Sequence, residues 1–114
     1  MKQRLLVMNG QKLVQNEHDG QWTTVKVDKA GAIRPGLYPL HLAAPADRTR
    51  QHDGVLLHAD QEHVYQQVGK ALVRHDLACF GKVPEPGKVV SIAYAAGRAV
   101  VTTTSMQRGR GLSR

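Results

Sequence analysis

Six histidines and one cysteine are the residues of this 114-residue chain whose chemistry suits metal binding or catalysis. A zinc site needs three or four such ligands converging at about 2.0–2.3 Å. The chain contains no His-Glu-x-x-His motif and no cysteine pair. His58 and His63 are close in sequence, but five residues along one strand would turn their rings to opposite faces. We therefore expect no metal site and no other cofactor. The histidines are His18, His41, His52, His58, His63 and His75.

Two His-Asp pairs, His52-Asp53 and His75-Asp76, resemble the metal-binding doublet of phosphohydrolases. That doublet lies on a helix in an all-helical fold, and further helices supply the remaining ligands. This chain offers no such helices. The sequence also lacks the spacing of a phosphate-binding P-loop. These patterns give no support to metal-dependent hydrolysis.

Cys79 and His75 are four residues apart and would meet as nucleophile and base only on a helix. Cys79 lies between Ala78 and Phe80, which is typical of a small buried apolar side chain. We predict that the protein is not an enzyme. Catalysis by His75 and Cys79 is a weaker alternative, and unchanged activity in a Cys79→Ala variant would remove it.

Composition favours one small strand-rich protein. Hydrophobic residues make up 41% of the chain but aromatic residues only 4%, so the core must consist of Val, Leu, Ile and Ala. Branched valines pack well on a pleated sheet. A single cysteine forms no internal disulfide, and neither a secretion signal nor a membrane-spanning run is evident. These features predict a cytoplasmic location.

The net charge of +7 lies mostly at the two ends of the chain. Residues 1–46 carry six Lys/Arg against three Asp/Glu, residues 47–106 seven against six, and residues 107–114 three arginines. Small β-proteins bind single-stranded nucleic acid by stacking bases on aromatic rings over a cationic groove. The alternative to such a site is a set of solvated cations around a core Trp22. The candidate nucleic-acid contacts are Arg4, Lys12, Trp22, Lys26, Lys29, Arg34, Arg108 and Arg110.

Turn signals divide the chain into short strands. Asn9-Gly10 between two apolar runs predicts a two-residue hairpin turn, and the triplet at residues 18–20 predicts a second turn. Residues 21–27 alternate with period two. Residues 37–43 predict a further strand, which Pro39 confines to a sheet edge or a bulge. The final two strands, around residues 88–94 and 99–104, join at Gly97.

Residues 64–80 could be read as a helix or as a hairpin. A glycine inside a helix costs about 1 kcal/mol, and the neighbouring segments predict strands. We therefore expect a hairpin that turns at Gly69-Lys70, followed by a short helical turn over residues 77–80. Asp76 is expected to cap that turn through its side-chain oxygen.

The fold class predicted is mainly β. It consists of an N-terminal β-hairpin or small sheet (residues 1–46), a small antiparallel SH3-like or OB-like barrel (47–106), and a disordered basic tail (107–114).

The second half of the chain resembles the KfrB domain family over residues 52–101. The resemblance implies a plasmid-encoded accessory protein of conjugative plasmids, associated with stable inheritance, whose partners would include a coiled-coil DNA-binding protein. The matching elements are Gly54-Val55-Leu56, Val64, Gln66, Gly69, His75, Pro84, Gly87, Val90, Ile92 and Tyr94.

The predicted function is that of a non-enzymatic adaptor that binds a protein partner in plasmid maintenance or conjugative transfer. Direct nucleic-acid binding is the alternative. Gln66 and His75 are polar residues among apolar neighbours, so they either satisfy buried backbone groups or, with Tyr38, face the partner. An exposed strand edge at residues 37–42 would suit the addition of a partner strand. The sequence leaves the oligomeric state open.

Overall fold

The structure of the protein, a computed structural model, describes residues 2–103. These residues form strands joined by turns and two 3-10 helices, Leu40–Leu42 and Leu77–Cys79. The predicted mainly β class is confirmed. Within this part of the chain, no helical segment has the length and apolar character required for a membrane span. The strands are β1 (Gln3–Met8), β2 (Gln11–His18), β3 (Gln21–Lys29), β4 (Gly36–Tyr38), β5 (Ala44–Pro45), β6 (His52–Ala59), β7 (His63–Val68), β8 (Ala71–Asp76), β9 (Val89–Ala95) and β10 (Arg98–Thr103).

The strands form two sheets. The first has the order β3-β2-β1-β4, and the second has the order β10-β9-β6-β7-β8-β5. Neighbouring strands are antiparallel except for β5, which runs parallel to β8. No pairing within residues 2–103 closes either sheet on itself. The predicted SH3-like or OB-like barrel is therefore not confirmed.

Two-residue turns set the hairpins. Asn9 and Gly10 both have positive φ, 53° and 75°, and the closing pair is Met8 with Gln11. Gly69 has φ 61° and joins β7 to β8, with Val68 opposite Ala71. Both predicted hairpins are confirmed, because their turn residues tolerate the left-handed backbone that a tight turn requires.

The predicted strand over residues 37–43 is wrong beyond Tyr38. Strand β4 ends there, and Pro39 leads into the 3-10 helix Leu40–Leu42. Proline cannot donate a ladder hydrogen bond, and Leu40 turns into the core, where it is 1% exposed. The part of the strand that does form lies at a sheet edge, as predicted.

The expected capping of the second 3-10 helix by Asp76 is also wrong. Leu77–Cys79 does form a helical turn, but the Asp76 side chain makes no capping hydrogen bond. Its carboxylate instead accepts a hydrogen bond from Arg48 Nη2 at 2.8 Å. The turn is therefore held by its backbone, with Phe80 N–H donating to the carbonyl of Leu77 at 3.0 Å.

Two apolar clusters form the core. The first joins both sheets, since Leu5, Val7 and Val14 of the first sheet pack with Leu57 and Tyr65 of the second. The second lies around β9, whose Val90 and Ile92 are buried. The division into residues 1–46, 47–106 and 107–114 stays a prediction; the first two share one cluster, and the third lies outside the described residues.

Candidate functional site

A chain of buried hydrogen bonds links β7, β8 and β9. Gln66 and His75 are both 0% exposed. The Gln66 side-chain oxygen lies 2.9 Å from His75 Nε2, and His75 Nδ1 lies 2.6 Å from the Tyr94 hydroxyl. The Gln66 amide nitrogen donates to three carbonyls, those of His52 (3.1 Å), Gly54 (3.2 Å) and Val90 (3.2 Å).

The orientation of the Gln66 amide sets the tautomer of His75. Because Nε2 of Gln66 faces carbonyls, its oxygen must be the group that accepts. His75 Nε2 therefore carries the hydrogen and donates it to Gln66. His75 Nδ1 is then unprotonated, and it accepts the hydrogen bond from the Tyr94 hydroxyl.

Burial keeps both His75 and Tyr94 neutral. Burial, aided by repulsion from His52, lowers the pKa of His75 to about 4. Burial raises the pKa of the Tyr94 hydroxyl to about 12, and the nearby Cys79 acts in the same direction. With both ring nitrogens in hydrogen bonds, His75 has no free position to take a proton from Cys79. The arrangement supports the structural alternative for Gln66 and His75.

The three residues predicted to bind a protein partner are thus all inside the fold. Tyr38 is buried in the first cluster, and its hydroxyl donates to the carbonyl of Arg34 at 2.6 Å. The binding role of Gln66, His75 and Tyr38 stays a prediction. In this conformation, however, their polar groups are already paired within the chain.

His52 and His75 lie close together, with ring centroids 5.2 Å apart, but the described histidines do not form a larger cluster. Within residues 2–103, no group of three His, Cys, Asp or Glu side chains lies close enough to hold a metal ion. His58 and His63 lie on separate strands, β6 and β7, rather than along one strand. Asp60 makes the turn between them by accepting hydrogen bonds from the N–H groups of Glu62 and His63.

The residues predicted to bind nucleic acid are divided between two faces of the first sheet. Arg4 and Trp22 are together, with the guanidinium 4.0 Å from the ring centroid. Lys12 and Lys26 lie in register with Val7 and Val14 on the opposite, core-side face. Lys26 is paired there with Asp28 at 3.3 Å. This placement does not form a single cationic groove, and the nucleic-acid role of these residues stays a prediction.

The remaining residues of that set lie elsewhere. Lys29 is in register with Gln11 and Met8, which places it on the same face as Arg4. Arg34 is exposed in the loop before β4. Arg108 and Arg110 lie outside the described residues.

Lys12 connects the two sheets. It is only 3% exposed, and its Nζ donates to the carbonyl of Leu57 in β6 at 3.0 Å. Burial lowers the pKa of Lys12, while Asp28 acts in the opposite direction. One feature of the sequence pointed to this burial: Lys12 is two residues from Val14, so both side chains lie on the same face of a strand. Lysine is seldom buried, however, and a prediction from sequence therefore assigns it to the surface.

The sequence reading missed an apolar row on the outer face of the first sheet. Strand register places four side chains in a line across all four strands. Leu37 is 53% exposed and Val27 is 52% exposed, at the two ends of the line, and the two central leucines are half-buried. The apolar row consists of Leu37, Leu6, Leu13 and Val27.

Polar side chains border the apolar row on both sides. On one side Arg4 Nε donates to Gln15 (2.8 Å), and Gln15 donates to Thr24 Oγ1 (3.1 Å). On the other side, strand register places Gln11 and Lys29 together with Met8, an apolar side chain that is 45% exposed. An exposed apolar centre with a polar rim is the composition of a protein-binding surface.

Comparison with known proteins gives a family match that covers most of the second sheet. The KfrB domain family matches residues 51–103, which contain β6 to β10. The chain is also 34% identical over 101 residues to Protein TraB of Escherichia coli, a match that covers 86% of this chain and 69% of that protein. The resemblance stated from the sequence is therefore confirmed, and the chain belongs to the plasmid-associated KfrB domain family.

Proposed function

We propose that the protein is a non-enzymatic adaptor of plasmid maintenance or conjugative transfer, and that it binds a partner protein in the cytoplasm through the apolar row. The observation that carries this proposal is the exposure of Leu37 and Val27 at the ends of a continuous apolar line. One face of an antiparallel sheet normally packs on the core and the other is polar. An apolar line on the solvent face therefore calls for a binding role.

The row is suited to a partner with an apolar centre and acidic residues at its margin. Arg4 is held in place by Gln15 and by the Trp22 ring, so little side-chain entropy is lost when it meets a carboxylate. Lys29 supplies a cation on the other side of the row. A rigid aromatic and a fixed arginine are typical anchors of protein interfaces.

Direct nucleic-acid binding is the second candidate function, because Arg4 and Trp22 share a face. A cation already stacked on the ring leaves less of that ring for a base, and Lys12 and Lys26 lie on the opposite face. This arrangement favours the protein-binding proposal. The two functions differ in their response to salt, since phosphate contacts weaken steeply as salt increases.

The test compares three versions of the full chain in a pull-down from a plasmid-bearing host: wild type, the double variant Leu37→Asp/Val27→Asp, and the control Ala71→Asp. Ala71 is exposed at the start of β8, on the second sheet and away from the apolar row. We expect a partner that wild type and the control retain and the double variant loses. Equal capture by the double variant, or loss in the control alone, contradicts a role for the apolar row.

A parallel titration with single- and double-stranded DNA at two salt concentrations separates the two candidate functions. The adaptor proposal predicts no appreciable binding at physiological salt. Tight binding that falls steeply with salt supports the nucleic-acid function instead. Sedimentation of the same proteins tests for a second copy as occupant; a dimer that the double variant abolishes overturns the partner proposal.

A further inference from the structure

Three of the four sheet edges in residues 2–103 are blunted. A strand edge presents unpaired backbone groups, and proteins protect it with charges, proline, bulges or short length. β3 carries Lys26, Asp28 and Lys29, and its register shifts at Val14/Gln15 of its neighbour. β4 has three residues, and β5 has two, the second of them Pro45.

β10 is the edge without these features. It has six residues, Arg98–Thr103, and its only charged residue, Arg98, is at its first position. Its pairing with β9 is unbroken from Arg98 opposite Ala95 to Thr103 opposite Val90. Val and Thr favour the extended backbone. The outer edge of β10 has no strand partner among the described residues.

A groove of mixed polar and apolar lining lies beside this edge. Its cavity volume is about 660 Å³, within the range of ligand-binding clefts. The loop at residues 81–88 forms one wall, and Val90, Ala99 and Val101 line the sheet side. Ala99 and Val101 alternate along β10, so a strand added to β10 would direct every second side chain toward the same groove.

Cations predominate around the groove. Lys82 and Lys88 line it together with Glu85, and Glu85 is paired with Lys88 at 3.1 Å. A Cβ atom at Gly81 would lie 3.4 Å from Arg98 Nη2, which places the Arg98 guanidinium next to the loop wall. Because Lys88 and Glu85 neutralise each other, Lys82 and Arg98 give this end of the groove a net positive charge.

We propose that β10 takes up an extended segment of a partner protein as an added strand, with alternate apolar side chains in the groove and acidic side chains beside Lys82 and Arg98. The main-chain hydrogen bonds of β10 would supply affinity, and the groove would supply specificity. This proposal shares with the proposed function only that the partner is a protein. β10 belongs to the second sheet and the apolar row to the first, so the adaptor has two separate binding surfaces.

The chain's own end is a poorer occupant than an acidic segment. Residues 104–114 follow β10 directly and carry three arginines without an acidic residue. Like charges would meet at Lys82 and Arg98. An acidic, apolar partner segment fits both the charge and the lining of the groove.

The test uses ten-residue capped peptides in which valine alternates with glutamate and threonine, and a matched peptide with lysine in place of glutamate. The full chain, labelled with ¹⁵N, is titrated with each peptide. We expect the acidic peptide to bind and to slow hydrogen exchange at alternate amides of β10. We expect Lys82→Glu to weaken binding about tenfold, and the control Lys70→Glu in the distant β7–β8 turn to leave it unchanged.

Several results would overturn the proposal. They are absence of binding by the acidic peptide, equal binding by the lysine peptide, protection at β3 instead of β10, and a Lys82→Glu variant that binds as wild type. Binding that appears only after deletion of residues 104–114 would identify the tail as the occupant. The variant Leu37→Asp/Val27→Asp should bind the peptide normally, so failure of this proposal and failure of the apolar row are distinguishable.

Discussion

The replacement of Gln66 by leucine tests whether the buried hydrogen-bond chain holds the second sheet together. Leucine fills a similar volume but has no polar group. His75 Nε2–H would lose its acceptor, and the carbonyls of His52, Gly54 and Val90 would lose the amide donor. Packing would change little, so the effect isolates the polar interactions.

The expected loss follows from the count of hydrogen bonds. An unsatisfied buried donor costs about 1–3 kcal/mol, and each ordinary hydrogen bond contributes about 0.5–1.5 kcal/mol net. The Gln66 amide has two N–H groups to lose in addition to the His75 contact. Leucine regains some stability through apolar burial, so we expect a decrease of about 3 kcal/mol in the free energy of unfolding. The whole free energy of unfolding of a typical protein is about 5–15 kcal/mol, so this decrease is a large part of it.

The assay is urea unfolding followed by far-ultraviolet circular dichroism at pH 7.5, with Gln67→Leu as the control. Gln67 is the next residue and is partly exposed, so its replacement should cost within about 0.5 kcal/mol. Imidazole ¹⁵N spectra give a second reading, because wild-type His75 should show a protonated Nε2. A loss below about 1 kcal/mol, or one equal to that of the control, would refute the structural role of Gln66.

Three further predictions concern acid, close packing and the thiol. Burial lowers the pKa of both His58 and His75 to about 4, whereas an unfolded histidine titrates near pH 6.5. The free energy of unfolding should therefore be highest above pH 6.5 and should fall as the pH drops toward 4, by about 2 kcal/mol for each histidine at pH 5. Urea midpoints at pH 7.5, 6 and 5 measure this fall. Midpoints that do not change with pH would contradict the presence of neutral, buried histidines. Gly54→Ala should prevent pairing of β6 with β7, because the new Cβ would lie 1.7 Å from the Gln67 carbonyl oxygen. A Cβ at Gly69 would have no atom within 4 Å, so Gly69→Ala should cost only about 1–2 kcal/mol, from backbone strain. Similar urea midpoints for the two variants would contradict this difference. Cys79 is buried, so a thiol reagent should modify it slowly in native buffer and rapidly in urea, and rapid native labelling would place it at the surface.

Local turn chemistry made much of the fold predictable. Asn9-Gly10, Gly69 and Gly97 each sit where a tight turn needs positive φ, and that preference belongs to the residues themselves. The period of two in β9 likewise depends only on the geometry of an extended chain. In β3 that period is interrupted, because the register shifts between Val14 and Gln15 of β2 and leaves Val25 out of the pairing. These signals were sufficient for the mainly β class and for most strand positions.

Signals that depend on distant partners were less reliable. Pro39 ended β4 early because Leu40 found a place in the core, and Asp76 paired with Arg48 instead of capping the turn that follows it. Lys12 was expected among surface cations but reaches the carbonyl of Leu57. In each case the competing contact lies far away in sequence, so local propensity had no access to it.

The sequence by itself determined the turns, the alternation of the strands and the membership of a plasmid-associated family. It also identified Gln66 and His75 as polar residues in apolar surroundings, but left a structural and a binding role open. Only the tertiary structure decided that their polar atoms pair with each other, with Tyr94 and with strand carbonyls, because those partners come from four different strands. Strand order also decided which edge is unprotected, and that property of β10 exists only once every other strand has found its neighbour.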